Sequence, residues 1–121
     1  MMDNWKTGRN AEQLAARYLR CRGYHIWKTN WRWGRKELDL VARYRGELVI
    51  VEVKSRVNNG VNLPSEVIDP RKQRHIVLAA DAFIRMHHCG MPTRFDVIAV
   101  NYREGGAEIE HIENAFYPTV E

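Results

Sequence analysis

The sequence predicts an α/β fold in which a mixed central sheet is flanked by helices, with elements in the order α-β-β-β-α-β-β. Three observations lead there. Residues 8–22 and 70–88 repeat apolar side chains at helical spacing. Residues 37–44 and 47–55 alternate as strands about Arg45-Gly46, a two-residue turn that makes them an antiparallel hairpin. The next apolar strand, 94–101, is reached only through the second helix, so it should return parallel to 47–55 by a right-handed crossover.

The first helix carries Ala11, Leu14, Ala15, Tyr18 and Leu19 on one stripe, with Thr7 offering an N-cap and Gly23 a stop. Glu12 lies at the edge of that stripe, and pattern alone fits a first-turn acid favoured by the helix dipole. Residues 24–33, YHIWKTNWRW, read as a strand of interleaved aromatics and cations, a composition able to stack on bases or grip phosphates. Trp27 and Trp31 are expected instead to pack under the helix. Trp33 is the more open, and the adjoining Gly34-Arg35-Lys36 loop is placed to contact phosphate.

After the hairpin, residues 56–69 form a long polar connection with a turn at Asn59-Gly60. It leaves from the Lys54 end of its strand and is placed to fold over that region, with Ser65 and Glu66 as weak contacts. Asp69 as N-cap and Pro70 at the first helical position open the second helix, whose buried stripe is Ile76, Val77, Ala80, Phe83 and Ile84. Gly90 and Pro92 end it. Its first turns hold Arg71, Lys72, Gln73, Arg74 and His75. Cations there oppose the macrodipole, and a bound anion would relieve both, so this is the best phosphate-binding patch. His87-His88-Cys89 has the composition of a metal site, but adjacent helical residues point about 100° apart, and the run reads as a fraying helix end. In strand 94–101 the one acid, Asp96, is set to pair with Arg94. Glu104-Gly105-Gly106 turns the chain into an edge strand over 107–112, and 114–121 is expected to be irregular.

The chemistry concentrates in the hairpin. With Arg45-Gly46 as its turn, Tyr44 faces Glu47, Asp39 falls opposite Glu52, and Glu37 opposite Lys54. Strand side chains alternate, so Glu37, Asp39, Glu52 and Lys54 should share one face. Leu38, Leu40, Ala42, Val49, Val51 and Val53 then form the buried one. Directly opposed residues have Cβ atoms about 4.5–5.5 Å apart, which suits two carboxylates sharing a divalent cation. Opposed like charges destabilise a hairpin, and Mg²⁺ or Mn²⁺, which take oxygen ligands, would remove the conflict. Lys54 is placed to hold an attacking water or to steady charge developing on phosphorus. Spacing alone fits equally well a solvated strand face on which Lys54 screens Glu52.

At 121 residues the chain should form one domain, 1–121, with a single core. No apolar run approaches membrane-spanning length, and the two cysteines, Cys21 and Cys89, show no framework spacing. These features favour a reducing cytoplasm and no membrane. A formal charge of +4 and a pI near 9.3 lean toward a polyanionic partner.

Asp39 followed by Glu52-Val53-Lys54 resembles the PD-(D/E)xK nuclease signature. More closely, GRNAEQLAARYLRCRGY (8–24), ELDLVARYRGELVIVEVKSR (37–56), PSEVIDPRKQR (64–74) and RFDVIAV (94–100) resemble the YraN family. Its members are small bacterial proteins predicted to be nucleases and similar to archaeal Holliday-junction resolvases. The resemblance runs in order through nearly the whole chain. It implies a restriction-endonuclease-like fold and a Mg²⁺- or Mn²⁺-dependent endonuclease acting on DNA, at branched structures in particular. It also implies that Asp39 and Glu52 bind the metal together with the Val53 carbonyl, and that Glu12 is an additional acid of the site. Lys54 would orient the water that attacks phosphorus in line with the leaving 3′ oxygen, and Gln73 would reach the centre. Lys36 departs from the family, which usually has Gly there. Symmetric cutting of two strands would need a two-fold homodimer. The alternative is a nucleic-acid-binding protein without cleavage activity on the same fold.

Overall fold

The computed structural model describes residues 9–57 and 68–118. Its elements keep the expected order: α1 (Arg9–Cys21), β1 (His25–Trp33), β2 (Lys36–Tyr44), β3 (Glu47–Val57), α2 (Pro70–Met86), β4 (Thr93–Arg103) and β5 (Gly106–Phe116). The expected N-cap Thr7, the Asn59-Gly60 turn, and Ser65 and Glu66 lie outside the described residues.

The strands line up in chain order, β1-β2-β3-β4-β5. Every neighbouring pair is antiparallel except β3 and β4, which α2 joins in parallel. Both faces of this sheet are covered, contrary to the one-sided burial expected of the hairpin. Beneath α1, Ala11, Ala15 and Leu19 meet Leu40, Ala42, Val49, Val51, Ile98 and Val100. Beneath α2, Ile76, Ala79, Ala80 and Phe83 meet Leu38, Val41, Leu48, Ile50 and Val97. A strand sealed on both faces needs apolar side chains at consecutive positions, which is why LVIV in β3 and VIAV in β4 do not alternate. Trp27 and Trp31 do pack under a helix, but it is α2. Both set their rings edge-on to Phe83, at 5.1 and 5.2 Å between centroids.

Local chemistry fixes the junctions. Gly23, at φ 93, lets Tyr24 N–H reach Leu19 O and Gly23 N–H reach Arg20 O, a left-handed cap on α1. Arg45 and Gly46, at φ 50 and 81, make the two-residue turn with both φ positive that suits a twisted hairpin. Asp69 accepts Arg71 N–H at 3.0 Å and Pro70 follows it, so α2 starts where expected. It ends sooner than expected, at Met86. His88, not Gly90, takes the left-handed position (φ 52), and Cys89 N–H closes the cap on Ile84 O. His87 lies stacked on Phe83 with Nδ1 2.9 Å from the Phe83 carbonyl, an anchored ring at a helix end.

Where β4 meets the end of β5 a buried ion pair holds the sheet together. Asp96, with no exposed surface, takes Arg94 Nε and Nη2 at 2.9 and 2.8 Å, as expected of that pair, and lies 2.8 Å from His111 Nε2. Arg94 also donates to the Tyr24 hydroxyl at 2.6 Å. Burial alone would raise the Asp96 carboxyl, but hydrogen bonds from His111, Arg94 and the Asn114 backbone outweigh it and hold the pKa low. Asn114 N–H donates to Asp96 at 3.1 Å, and Phe116 stacks on Phe95. These contacts carry β5 on to Phe116, past the expected end at residue 112. Among the described residues no helix is long and apolar enough to cross a membrane.

Candidate active site

The hairpin register is the one the turn dictates: Tyr44↔Glu47, then in step to Leu40↔Val51. One position further the ladder gives way to a side chain. Asp39 Oδ2 accepts the Val53 N–H at 2.9 Å, so the carboxylate occupies a donor that a backbone carbonyl would otherwise take. The alternation of β2 also inverts here. Leu40 and Ala42 lie beneath α1, whereas Leu38 lies beneath α2. On the neighbouring strand Asn30 takes φ 51, between the pairs Thr29↔Leu40 and Trp31↔Leu38. Irregularities of this kind re-aim side chains next to functional sites. Glu37 turns to Arg32, 3.9 Å away, instead of joining Asp39 and Glu52 on one open face.

Glu52 is buried on the α2 side of β3, with 7 % of its surface exposed. Its pKa is pushed up to about 7, first by burial, then by the charge of Asp39, and against the pull of Lys72. Asp39 is raised as well. Burial is again the main cause, partly offset by the Val53 N–H, a hydrogen bond with Glu52 and the charge of Lys72. Both carboxyls are thus pushed toward keeping a proton, first of all by burial. Among the described residues the cation paired with them is Lys72, whose Nζ is 3.4 Å from Glu52 Oε2 and half exposed. Two juxtaposed carboxylates against one loosely held ammonium fit the donor chemistry of a hard divalent ion. Among the described residues no three acids, histidines or cysteines converge into a metal-holding group.

The remaining expected residues fall into four places. Val53 and Lys54 follow Glu52 on β3, Lys54 half-buried and without a hydrogen bond or ion pair to another described residue. Glu12 lines a cleft of about 360 Å³ between α1 and the sheet, with Gln13, Arg20, Thr29, Asn30 and Leu40. Asn30 and Leu40 flank the Asp39 position, so the cleft lies on the other side of β2 from Glu52. Arg35 is exposed at the tip of the β1–β2 turn, and Lys36 Nζ lies 5.8 Å from the Trp33 ring centroid. At the start of α2, Arg71 and Arg74 are exposed, while Gln73 is tied back to Ile68 O at 2.8 Å. Sequence reasoning took Lys72 only as a phosphate contact and missed its pairing with Glu52. The signal available was a first helical turn carrying cations and no acid.

The family description "Uncharacterised protein family UPF0102" matches residues 11–100. A Phocaeicola vulgatus protein is similar at 41% identity over 120 residues, 99% of each chain. Another, from Bacteroides fragilis, is 45% identical over 111 residues, 92% of each chain. A Porphyromonas gingivalis protein is 45% identical over 118 residues, covering 96% of this chain and 87% of its own. Each of the three carries the name UPF0102 protein.

Proposed function

The chain belongs to the UPF0102 family, and from that premise we propose that it is a metal-dependent phosphodiesterase cutting DNA, with Asp39 and Glu52 at its centre. The observation that carries this reading is the adjoining Asp39 and Glu52 carboxyls, both raised first by burial, and Glu52 also by the charge of Asp39. A structural pair would be matched by cations of equal number, whereas among the described residues this one is matched by a single half-exposed lysine.

Asp39 and Glu52 would hold Mg²⁺ or Mn²⁺ with the Val53 carbonyl; Glu12, the further acid that the sequence resemblance implies, lines the cleft under α1 apart from these two. Such an ion supplies Lewis acidity and a lowered water pKa. The chain's own groups do the rest. The Val53 N–H fixes the Asp39 carboxylate in place. Lys54, on the same side of β3 as Glu52, would orient the water and offset charge on the phosphoryl oxygens. Arg35 and Lys36 on one flank, Arg71 and Arg74 on the other, would receive the neighbouring phosphates. Branched DNA as the preferred substrate, on a restriction-endonuclease-like fold, is the finer form of the proposal.

The test is cleavage of end-labelled four-way junction, flap, single-stranded and duplex DNA with Mg²⁺, Mn²⁺ or EDTA, with Asp39→Ala and Lys54→Ala beside wild type. Metal-dependent cutting by wild type alone is expected. Cutting that survives both substitutions removes the proposed centre. The Lys72–Glu52 ion pair favours a second reading, a nucleic-acid-binding protein without cleavage, because an ammonium already balances one of the two carboxylates. Binding without cutting under either metal selects it.

A further inference from the structure

The β1–β2 turn is a second feature of the same face. Trp31 and Leu38 are register partners and both pack in the cluster beneath α2. Trp33 and Lys36, the next partners but one, therefore emerge on that same side of the sheet, past the end of the core. Glu52 and Lys72 are also on the α2 side. Trp33 is 43 % exposed, whereas Trp27 and Trp31 are packed on Phe83. Lys36 and Asp39 are three residues apart on one strand, about 10 Å.

The charges around it are sorted across the sheet. On the β1 edge the exposed charged residues are Lys28 and Arg32, with Arg35 exposed beside them in the turn. On the opposite edge, β5 exposes Glu113 and Glu108, the latter paired with exposed Arg103 at the end of β4, and Glu104 is exposed in the turn between them. A polyanion is drawn to the first edge and repelled by the second. Cations alone would hold its phosphates, but an indole half-open among them offers a flat face as well.

We infer that Trp33 stacks on an unpaired base of a nucleic-acid strand whose phosphates run from the α2 start, over Asp39 and Glu52, to Arg35 and Lys36. This rests on the proposed function and deepens it, because it names single-stranded or frayed nucleic acid as the ligand. A strand stacked at a rise of about 3.4 Å per nucleotide covers the gap between Lys36 and Asp39 in about three nucleotides.

Binding is read by anisotropy of a labelled thymidylate dodecamer in EDTA, against an abasic dodecamer of the same charge. Trp33→Ala is expected to weaken thymidylate binding about ten-fold, as loss of one base–aromatic stack does, and to leave the abasic strand unchanged. Trp33→Phe should keep most of the affinity, and Lys36→Ala should weaken both ligands alike. Equal binding by wild type and Trp33→Ala overturns the inference, as does an equal loss on both ligands. If wild type cuts DNA but binds neither dodecamer, the inference fails and the phosphodiesterase stands. If it neither binds nor cuts, both fail.

Discussion

Replacing Glu52 by Gln tests the electrostatics of the carboxylate pair while leaving its shape almost untouched. In the folded protein Glu52 titrates at about 7 against an ordinary 4.5, because it is buried and faces the charge of Asp39. The folded state thus keeps a proton that the unfolded chain has already released. Stability from this group is complete below the unfolded value and is lost as pH rises through the folded one. The displacement corresponds to roughly 3 kcal/mol by pH 8, an order of magnitude shared with Asp39. Gln is neutral at every pH and keeps the volume and a hydrogen-bonding head. Glu52→Gln should therefore match wild type near pH 5 and exceed it at pH 8, by roughly 2–3 kcal/mol, or on the order of 10 °C in Tm for a chain of this size. Thermal melts of both proteins at the two pH values, in EDTA, measure this. Adding Mn²⁺ at pH 8 should close the gap by stabilising wild type alone. An advantage of the variant that does not grow between pH 5 and pH 8 would refute the charge conflict and, with it, the reason to set a divalent ion between these carboxylates.

Lys72→Met removes the competing ammonium, and Mn²⁺ affinity by calorimetric titration should rise about five-fold, the equivalent of a half-exposed ion pair worth roughly 1 kcal/mol. Unchanged or weaker binding would mean that Lys72 does not compete for Glu52. Asp96→Ala leaves the buried Arg94 guanidinium with only the Glu47 carboxylate, 3.3 Å from Nη1, and should lower stability in urea by about 3 kcal/mol. The Asp96 carboxyl is held low, so its stabilising contribution is present above the ordinary carboxylate value and disappears as pH falls through the folded one, giving acid unfolding that Asp96→Ala lacks. Asp69→Ala removes the N-cap of α2 and should lose about 1 kcal/mol by the same measurement.

What the sequence made legible was local. Arg45-Gly46 set the hairpin register, which runs as expected from Tyr44↔Glu47 to Leu40↔Val51; the direct Asp39–Glu52 pairing expected next gives way to Asp39 accepting the Val53 N–H. Asp69-Pro70 and Gly23 marked helix ends because capping is decided within a few residues. What escaped depends on partners far along the chain. The inversion at Asp39 accompanies the conformation of Asn30 on another strand, and strict alternation had placed Leu38 and Leu40 on one side. The continuation of β5 hangs on Asp96 reaching Asn114, which no pattern in 113–116 announces. Lys72 finds Glu52 only once α2 docks on the sheet, so its helix position suggested a phosphate contact and gave no hint of the acid beneath it.

The hydrogen bond from Val53 to Asp39 makes one amide a messenger of the site. That proton is held by the carboxylate proposed to grip an ion, and by no carbonyl of the neighbouring strand. Any cation that draws electron density from Asp39 weakens the bond, so the Val53 amide should shift its magnetic resonance and exchange faster with solvent, while Val49 and Val51, deeper in the ladder, stay silent. Occupancy of the centre can then be followed at a single backbone position, in protein that is turning over nothing. The same bond ties shape to chemistry. Asp39→Ala takes away a ligand and also strands an amide in a half-dry sheet, so Asp39→Asn, which keeps an acceptor there, is the cleaner way to silence the site.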